Sequence, residues 1–131
     1  MSRAPGLGPV ARRVLESSQH VLVPLQCEPL ALQTTPQILR GIQDVVAVNE
    51  ALTLDGILLT MYDRTSPACE RVATAVRAHL PPNLVFDVVV PRSPAAADAF
   101  AAGQPVVLRD PADPAAQAYV NLATVLAERY R

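Results

Sequence analysis

The chain has 131 residues, half of them hydrophobic and 18% charged, with a formal net charge of -1. That length and composition set one ordinary domain with a real core and exclude a disordered chain. They also exclude a general electrostatic drive towards nucleic acid. No apolar run approaches the roughly 20 residues of a membrane span, and Met1 to Gly8 has no signal-peptide core, so the cytoplasm is the default expectation.

In chain order, Pro5 to Ser18 reads as an amphipathic helix, with Val10, Val14 and Leu15 opposite Arg12, Arg13 and Glu16. Val21 to Leu25 is apolar and β-branched, a buried strand that Pro24 closes. Thr34, Thr35 and Pro36 read as a hydroxyl cap followed by first-turn proline. Ile38, Ile42, Val45, Val46 and Asn49 then recur at helical spacing to about Leu52.

Leu54 to Met61 is the next strand. Its middle, Ile57 to Leu59, is unbroken apolar sequence, as expected of a strand covered on both faces. It turns polar at Thr60, Tyr62 and Asp63. Ligands of open parallel sheets sit beyond the carboxyl ends of strands, so Thr60 to Thr65 is the expected functional stretch.

Ser66 and Pro67 open a helix whose stripe is Cys69, Val72, Ala73, Val76 and Leu80. Leu84 to Val90 is a third strand ended by Pro91. Pro94 to Ala102 is a short helix closed by Gly103, Val106 to Leu108 is a candidate fourth strand, and Asp113 and Pro114 cap a last helix. This alternation predicts an α/β fold in three layers, a mainly parallel sheet of three to four strands flanked by helices.

The two cysteines, Cys27 and Cys69, lie far apart without metal-ligand spacing and read as buried free thiols. His20 and His79 stand beside no acidic or cysteine cluster in sequence and read as structural. All eleven basic residues are arginine, so chemistry that needs a lysine ammonium at a phosphate is closed to these residues alone.

Four segments carry a family resemblance: Val21-Leu-Val-Pro-Leu-Gln-Cys-Glu28, Gly56-Ile-Leu-Leu-Thr-Met-Tyr-Asp63, Val89-Val-Pro-Arg-Ser93 and Ala112-Asp-Pro-Ala-Ala-Gln-Ala-Tyr119. In this order they resemble successive landmarks in the C-terminal half of ParA/Soj/MinD-type partition ATPases. The resemblance covers essentially the whole chain and implies part of a P-loop NTPase fold as a single domain over 1–131. In that family a glycine-rich loop with two lysines cradles the nucleotide phosphates. Neither it nor the Walker B strand has a counterpart in these residues. Counting back without gaps puts Ser2 at the family's magnesium-associated aspartate, and Ala4-Pro5-Gly6-Leu7-Gly8 resembles the Pro-Pro-Ser-Leu-Gly that follows it.

The resemblance therefore implies a truncated, non-hydrolysing relative with no catalytic residue, metal or cofactor of its own. Met61, Tyr62, Asp63, Pro91 and Arg92 match positions that border the base and ribose in the family, with Ser93 in place of asparagine, and are the vestigial nucleotide site. Arg64 matches a DNA-contacting arginine. Arg71 and Arg77 are candidates for the same face, giving at most weak non-specific DNA binding and a nucleoid location. In the family the Val21 to Leu25 strand pairs with the strand leading into the phosphate loop. Val21, Leu22 and Val23 are thus the expected interface, covered by a second copy in a homodimer, by the N-terminal segment or by a full-length ParA-like partner. The expected role is an interaction or regulatory module in chromosome or plasmid partitioning, with a ParB-like protein as a further candidate partner and no membrane association. The alternatives are a residual adenine-nucleotide or DNA binder, or one subunit of a split ATPase.

Overall fold

A computed structural model describes residues 8–130, so Ser2, Ala4 to Leu7 and the first residues of the expected N-terminal helix lie outside the described residues. The elements are α1 (Pro9–Glu16), β1 (His20–Gln26), α2 (Leu30–Val46), β2 (Thr53–Tyr62), α3 (Pro67–His79), a 3-10 turn (Pro82–Leu84), β3 (Val85–Pro91), α4 (Pro94–Ala101), α5 (Val106–Arg109) and α6 (Pro114–Arg129). The sheet has the order β1-β2-β3, and both pairings are parallel. The predicted α/β class and parallel sheet are what the chain adopts.

β2 is the central strand, and its composition explains why. Ile57 and Leu59 are fully buried on one face with Val23 and Leu25 of β1, Ile42 and Val45 of α2, and Val72 and Val76 of α3. Leu58 points to the other face and packs with Phe86 and Val90 of β3 and Ala115, Ala118 and Leu122 of α6. Alternate residues of a strand face opposite ways, so an unbroken apolar run requires helices on both sides.

Three expectations are corrected. Thr34, Thr35 and Pro36 do not begin α2, which starts a turn and a half earlier at Leu30 and contains Pro36. The two hydroxyls bond backwards along the helix instead of capping it, Thr35 Oγ1 donating to Ala31 O at 2.6 Å. Val106 to Leu108 forms one helical turn, α5, with Leu108 and Arg109 amides donating to Pro105 O. The turn after α4 carries Leu108 into solvent, 76% exposed, and leaves this segment no strand to pair with. Asn49 lies beyond the end of α2. Its amide Nδ2 donates to the carbonyls of Leu15, Glu16 and Ser18 at 3.0–3.1 Å, satisfying the end of α1 from a distant part of the chain.

Near its amino end β2 carries an irregularity. Val21 pairs with Leu54 and Leu22 with Gly56, so Asp55 is the extra residue of a bulge. The bulge turns the Asp55 carboxylate inward, where it is 7% exposed and accepts from the Tyr130 hydroxyl and from His20 Nδ1 at 3.1 Å. The hydrogen bond to Asp55 holds the Tyr130 hydroxyl above the usual phenol range. Arg129 donates to Asp55 O at 2.7 Å and lies 5.1 Å over the Phe86 ring. Together these contacts clamp the end of α6 under the sheet.

Gly56 follows the bulge at φ +152, and a Cβ there would come within 2.9 Å of the Phe86 ring. Gly56→Ala is expected to destabilise the fold by about 2–3 kcal/mol, through both the disfavoured φ and overpacking, and denaturant unfolding measures it. Asn49→Ala leaves three carbonyls without their shared donor, so a loss of about 1–3 kcal/mol is expected. Hydrogen exchange should locate the faster opening in α1.

Candidate functional site

The carboxyl ends of β2 and β3 run side by side past the sheet. Tyr62 pairs with Pro91, and the Arg92 amide donates to Tyr62 O at 2.9 Å. This brings all five residues of the expected nucleotide site together. Met61, Tyr62, Asp63, Pro91 and Arg92 line one cavity of about 900 Å³, along with Arg64. Val88, Val89, Ala97 and Ala118 add apolar surface to its lining.

Two helices start at its rim. Ser93 caps α4 by accepting from the Ala96 amide at 3.3 Å, and Asp113 caps α6 by accepting from the Ala115 amide at 2.9 Å. The caps are joined, because the Ser93 hydroxyl donates to Asp113 Oδ2 at 2.8 Å. Ser93, which stands in place of the family's asparagine, therefore has a defined structural task here. The first-turn prolines Pro94 and Pro114 also line the cavity, since their fixed φ suits the opening turn.

Gln117 and Asn121 of α6 also line the cavity, two site residues that no motif in the sequence marks. The signal was available. Once Asp113-Pro114 is placed as the start of α6, Pro114, Gln117, Ala118 and Asn121 fall on one helical face by the three-and-four spacing. Which way that face points could not be known until α6 was seen packed on β3.

The exit from β2 is tightly held. Met61 has φ +53, the sole non-glycine residue with positive φ among those described. The Tyr62 hydroxyl donates to the Glu70 carboxylate of α3, and that bond keeps the phenol above its usual range. Asp63 Oδ1 accepts from the Thr65 hydroxyl at 2.6 Å and from the Thr65 amide at 2.9 Å. Those two bonds, with a smaller attraction from Arg92, hold the Asp63 carboxyl below the usual carboxylate range. Arg64 and Arg92 are exposed and make no ion pair among the described residues. The mouth thus carries two guanidinium groups and one carboxylate beside an apolar lining, a setting for a flat ligand bearing negative charge.

The other expected residues are distributed more widely. Arg77 Nη2 donates to Phe86 O at 3.1 Å, and Arg64 and Arg77 line one small recess with Tyr62, Glu70, Ala73 and Thr74. Arg71 does not line it; six residues along a helix turn a side chain through about 240°, away from Arg77. Val23 is 9% exposed and belongs to the core, whereas Val21 and Leu22 are half-buried on the edge strand. Pro24 is exposed, and β1 is one of the two edge strands of the described sheet, β3 being the other.

A parallel sheet flanked by helices, with its cavity beyond the strand ends, is an open α/β domain, and the solved structures it resembles are of P-loop NTPase type. Cobyrinic acid a,c-diamide synthase from Mycobacterium smegmatis superposes with a TM-score of 0.68 at 30% identity, covering 89% of this chain and 41% of that one. The same enzyme with bound ADP and magnesium gives a TM-score of 0.66 at 29% identity, covering 88% and 40%.

The sequence comparison is narrower. The chain is 38% identical over 128 residues to the chromosome partitioning protein ParA of Caulobacter vibrioides, covering 97% of this chain and 48% of that protein. It is 36% identical to the chromosome-partitioning ATPase Soj of Thermus thermophilus, covering 91% and 48%. With the sporulation initiation inhibitor protein Soj of Bacillus subtilis the identity is 32%, covering 94% and 49%. No protein-family model matches the chain. The chain is similar to ParA and Soj proteins over nearly all its length and spans about half the length of the curated relatives it matches.

The state of Asp63 gives a direct check on the geometry of the mouth. Its folded value is depressed, so the stability it contributes is complete above the ordinary aspartate range and is lost as pH falls through the depressed value. Thr65→Val removes the largest cause. Its Asp63 carboxyl, followed by carbon NMR, is expected to titrate at higher pH than in the parent protein.

Proposed function

We propose that this chain is a ParA-like module that does not hydrolyse ATP by itself and acts by association in chromosome or plasmid partitioning. The observation that carries the reading is the edge at β1. Leu22, on the face towards α6, is half-buried against the cluster around Leu58 and Leu122, and Pro24 beside it is exposed, so β1 keeps apolar surface along an edge of the sheet. An apolar edge strand invites pairing with another chain. The Cys27 amide donates to Thr60 O, so alternation along β1 turns Pro24 to the open side, where its missing N–H leaves a gap in the donor row. A partner strand would therefore be held by Leu22 and the carbonyls as much as by amide donors, with Val21 beside it.

The occupants that fit are a second copy or a full-length ParA-like protein, and a ParB-like protein is a further partner to test. The absence of lysine and of a glycine-rich phosphate loop in the 131 residues supports the lack of hydrolysis. Phosphoryl transfer depends on amides, ammonium groups and magnesium placed around the phosphates. No helix of the described residues is long and apolar enough to cross a membrane.

The cavity favours a second reading, retention of adenine-nucleotide binding. Met61 and Pro91 supply apolar surface, Arg64 and Arg92 supply positive charge, and Gln117 and Asn121 supply amide groups that can both donate and accept. One subunit of a split ATPase would combine both readings. DNA contact through Arg64 and Arg77 would be weak and strongly salt-dependent, since few phosphates can be engaged.

The purified chain is expected to release no phosphate from ATP above background and to run as a dimer, or to bind a full-length ParA-like protein, in size-exclusion with light scattering. Leu22→Glu should weaken that association by tenfold or more. ATP turnover without a companion protein would overturn the reading, as would a monomer at high concentration that also ignores the full-length relative. Calorimetry with adenine nucleotides and Arg92→Ala decides the second reading, for which a loss of binding in the variant is expected.

A further inference from the structure

The polar side chains lining the cavity fall into two sets. Tyr62 is bonded to Glu70, Asp63 accepts from Thr65, and Ser93 donates to Asp113, so these three are committed within the chain. Arg64, Arg92, Gln117 and Asn121 also line the cavity and are exposed. None of these four side chains has a hydrogen-bond or ion-pair partner among the described residues.

The uncommitted groups are also sorted by kind. Arg64 follows β2 and Arg92 follows β3, and the Arg92 amide donates to Tyr62 O at 2.9 Å, so both arginines stand where the two strands leave the sheet. Gln117 and Asn121 stand one turn apart on α6, a spacing that places Cβ atoms about 5–6 Å from each other. Met61, Pro91 and Ala118 supply apolar surface in the same cavity. With Asp63 ionised, the lining carries a single surplus positive charge. A second carboxylate, Asp113, stands at the rim but is occupied by the Ser93 hydroxyl and the Ala115 amide.

We propose that the cavity takes a nucleoside monophosphate, its phosphate held by Arg64 and Arg92 and the edge of its base read by Gln117 and Asn121. The inference rests on the second reading above, that the cavity binds an adenine nucleotide, and adds which nucleotide it is and which residues choose it. A guanidinium offers phosphate a fork of parallel donors. A side-chain amide offers one donor and one acceptor side by side, which matches N6 and N7 of adenine. The cavity volume of about 900 Å³ lies within the usual range for small-molecule sites. A triphosphate gains nothing here beyond its first phosphate. No third cation lines the cavity, the 131 residues contain no lysine, and Asp63 repels added negative charge.

Calorimetry at low salt with adenosine, AMP and ATP tests this. AMP is expected to bind about tenfold or more tighter than adenosine, the scale of a charge-assisted hydrogen bond, and ATP no tighter than AMP. Added salt should weaken AMP binding and leave adenosine binding unchanged. Arg92→Ala should remove the advantage of AMP over adenosine. Gln117→Leu and Asn121→Leu should each weaken both ligands by about three- to tenfold, with thermal unfolding showing that the variants fold. ATP binding tenfold tighter than AMP would overturn the monophosphate and leave the adenine-nucleotide reading standing. Equal binding of adenosine and AMP would overturn the arginine clamp, and unchanged binding in both amide variants would overturn the base readers. If none of the three ligands binds, this inference and the reading beneath it fall together.

Discussion

The burial of Ile57, Leu58 and Leu59 on opposite faces of β2 is the constraint from which the rest of the structure follows. Each fully buried aliphatic side chain contributes about 1.5–3 kcal/mol relative to exposure. The gain is available only if α2 and α3 cover one face while α6 covers the other. Parallel pairing of β1 and β3 on either side then satisfies the backbone of the central strand. The helices that provide this cover also set where the chain must turn at the end of β2, and so where the cavity opens.

The two ends of β2 are held by opposite chemistry. At the amino end a bulge buries one carboxylate, and His20, Tyr130 and Arg129 converge on Asp55 to hold the end of α6. At the carboxyl end Met61 takes up a left-handed backbone, and Tyr62, Asp63 and Cys69 each make a bond that fixes the following turn. A rigid amino end and a carefully positioned carboxyl end suit a domain whose ligand sits beyond the strands. The joined caps of α4 and α6 complete the far wall, so the cavity is built from elements that the core already fixes.

The architecture is the one the chain shares with the solved structures it resembles. The chain spans about half the length of the ParA and Soj relatives it matches, and among the described residues β1 and β3 are the edges of its sheet, with Leu22 half-buried and Pro24 exposed on β1. The cavity beyond the strand ends is built independently of that edge, with Arg64 and Arg92 exposed along its lining.

By itself the sequence settled the three strands of the sheet, most helix starts and which residues stand at the strand ends, because each rests on local rules. Ser66-Pro67, Ser93-Pro94 and Asp113-Pro114 all cap helices where a hydroxyl or carboxylate precedes proline, and the Ile57–Leu59 run is a central strand. The same rule misread Thr34-Thr35-Pro36, since hydroxyls can bond back to a preceding carbonyl when a helix has already begun at Leu30. Val106 to Leu108 looked like a strand until no neighbouring strand was there to pair with it. Only the tertiary structure decided that Asn49 ends α1, that Asp55 gathers His20 and Tyr130, and that Gln117 and Asn121 face the cavity. Contacts between residues far apart in sequence depend on the angles at which whole elements pack, and no local pattern of side chains encodes those angles.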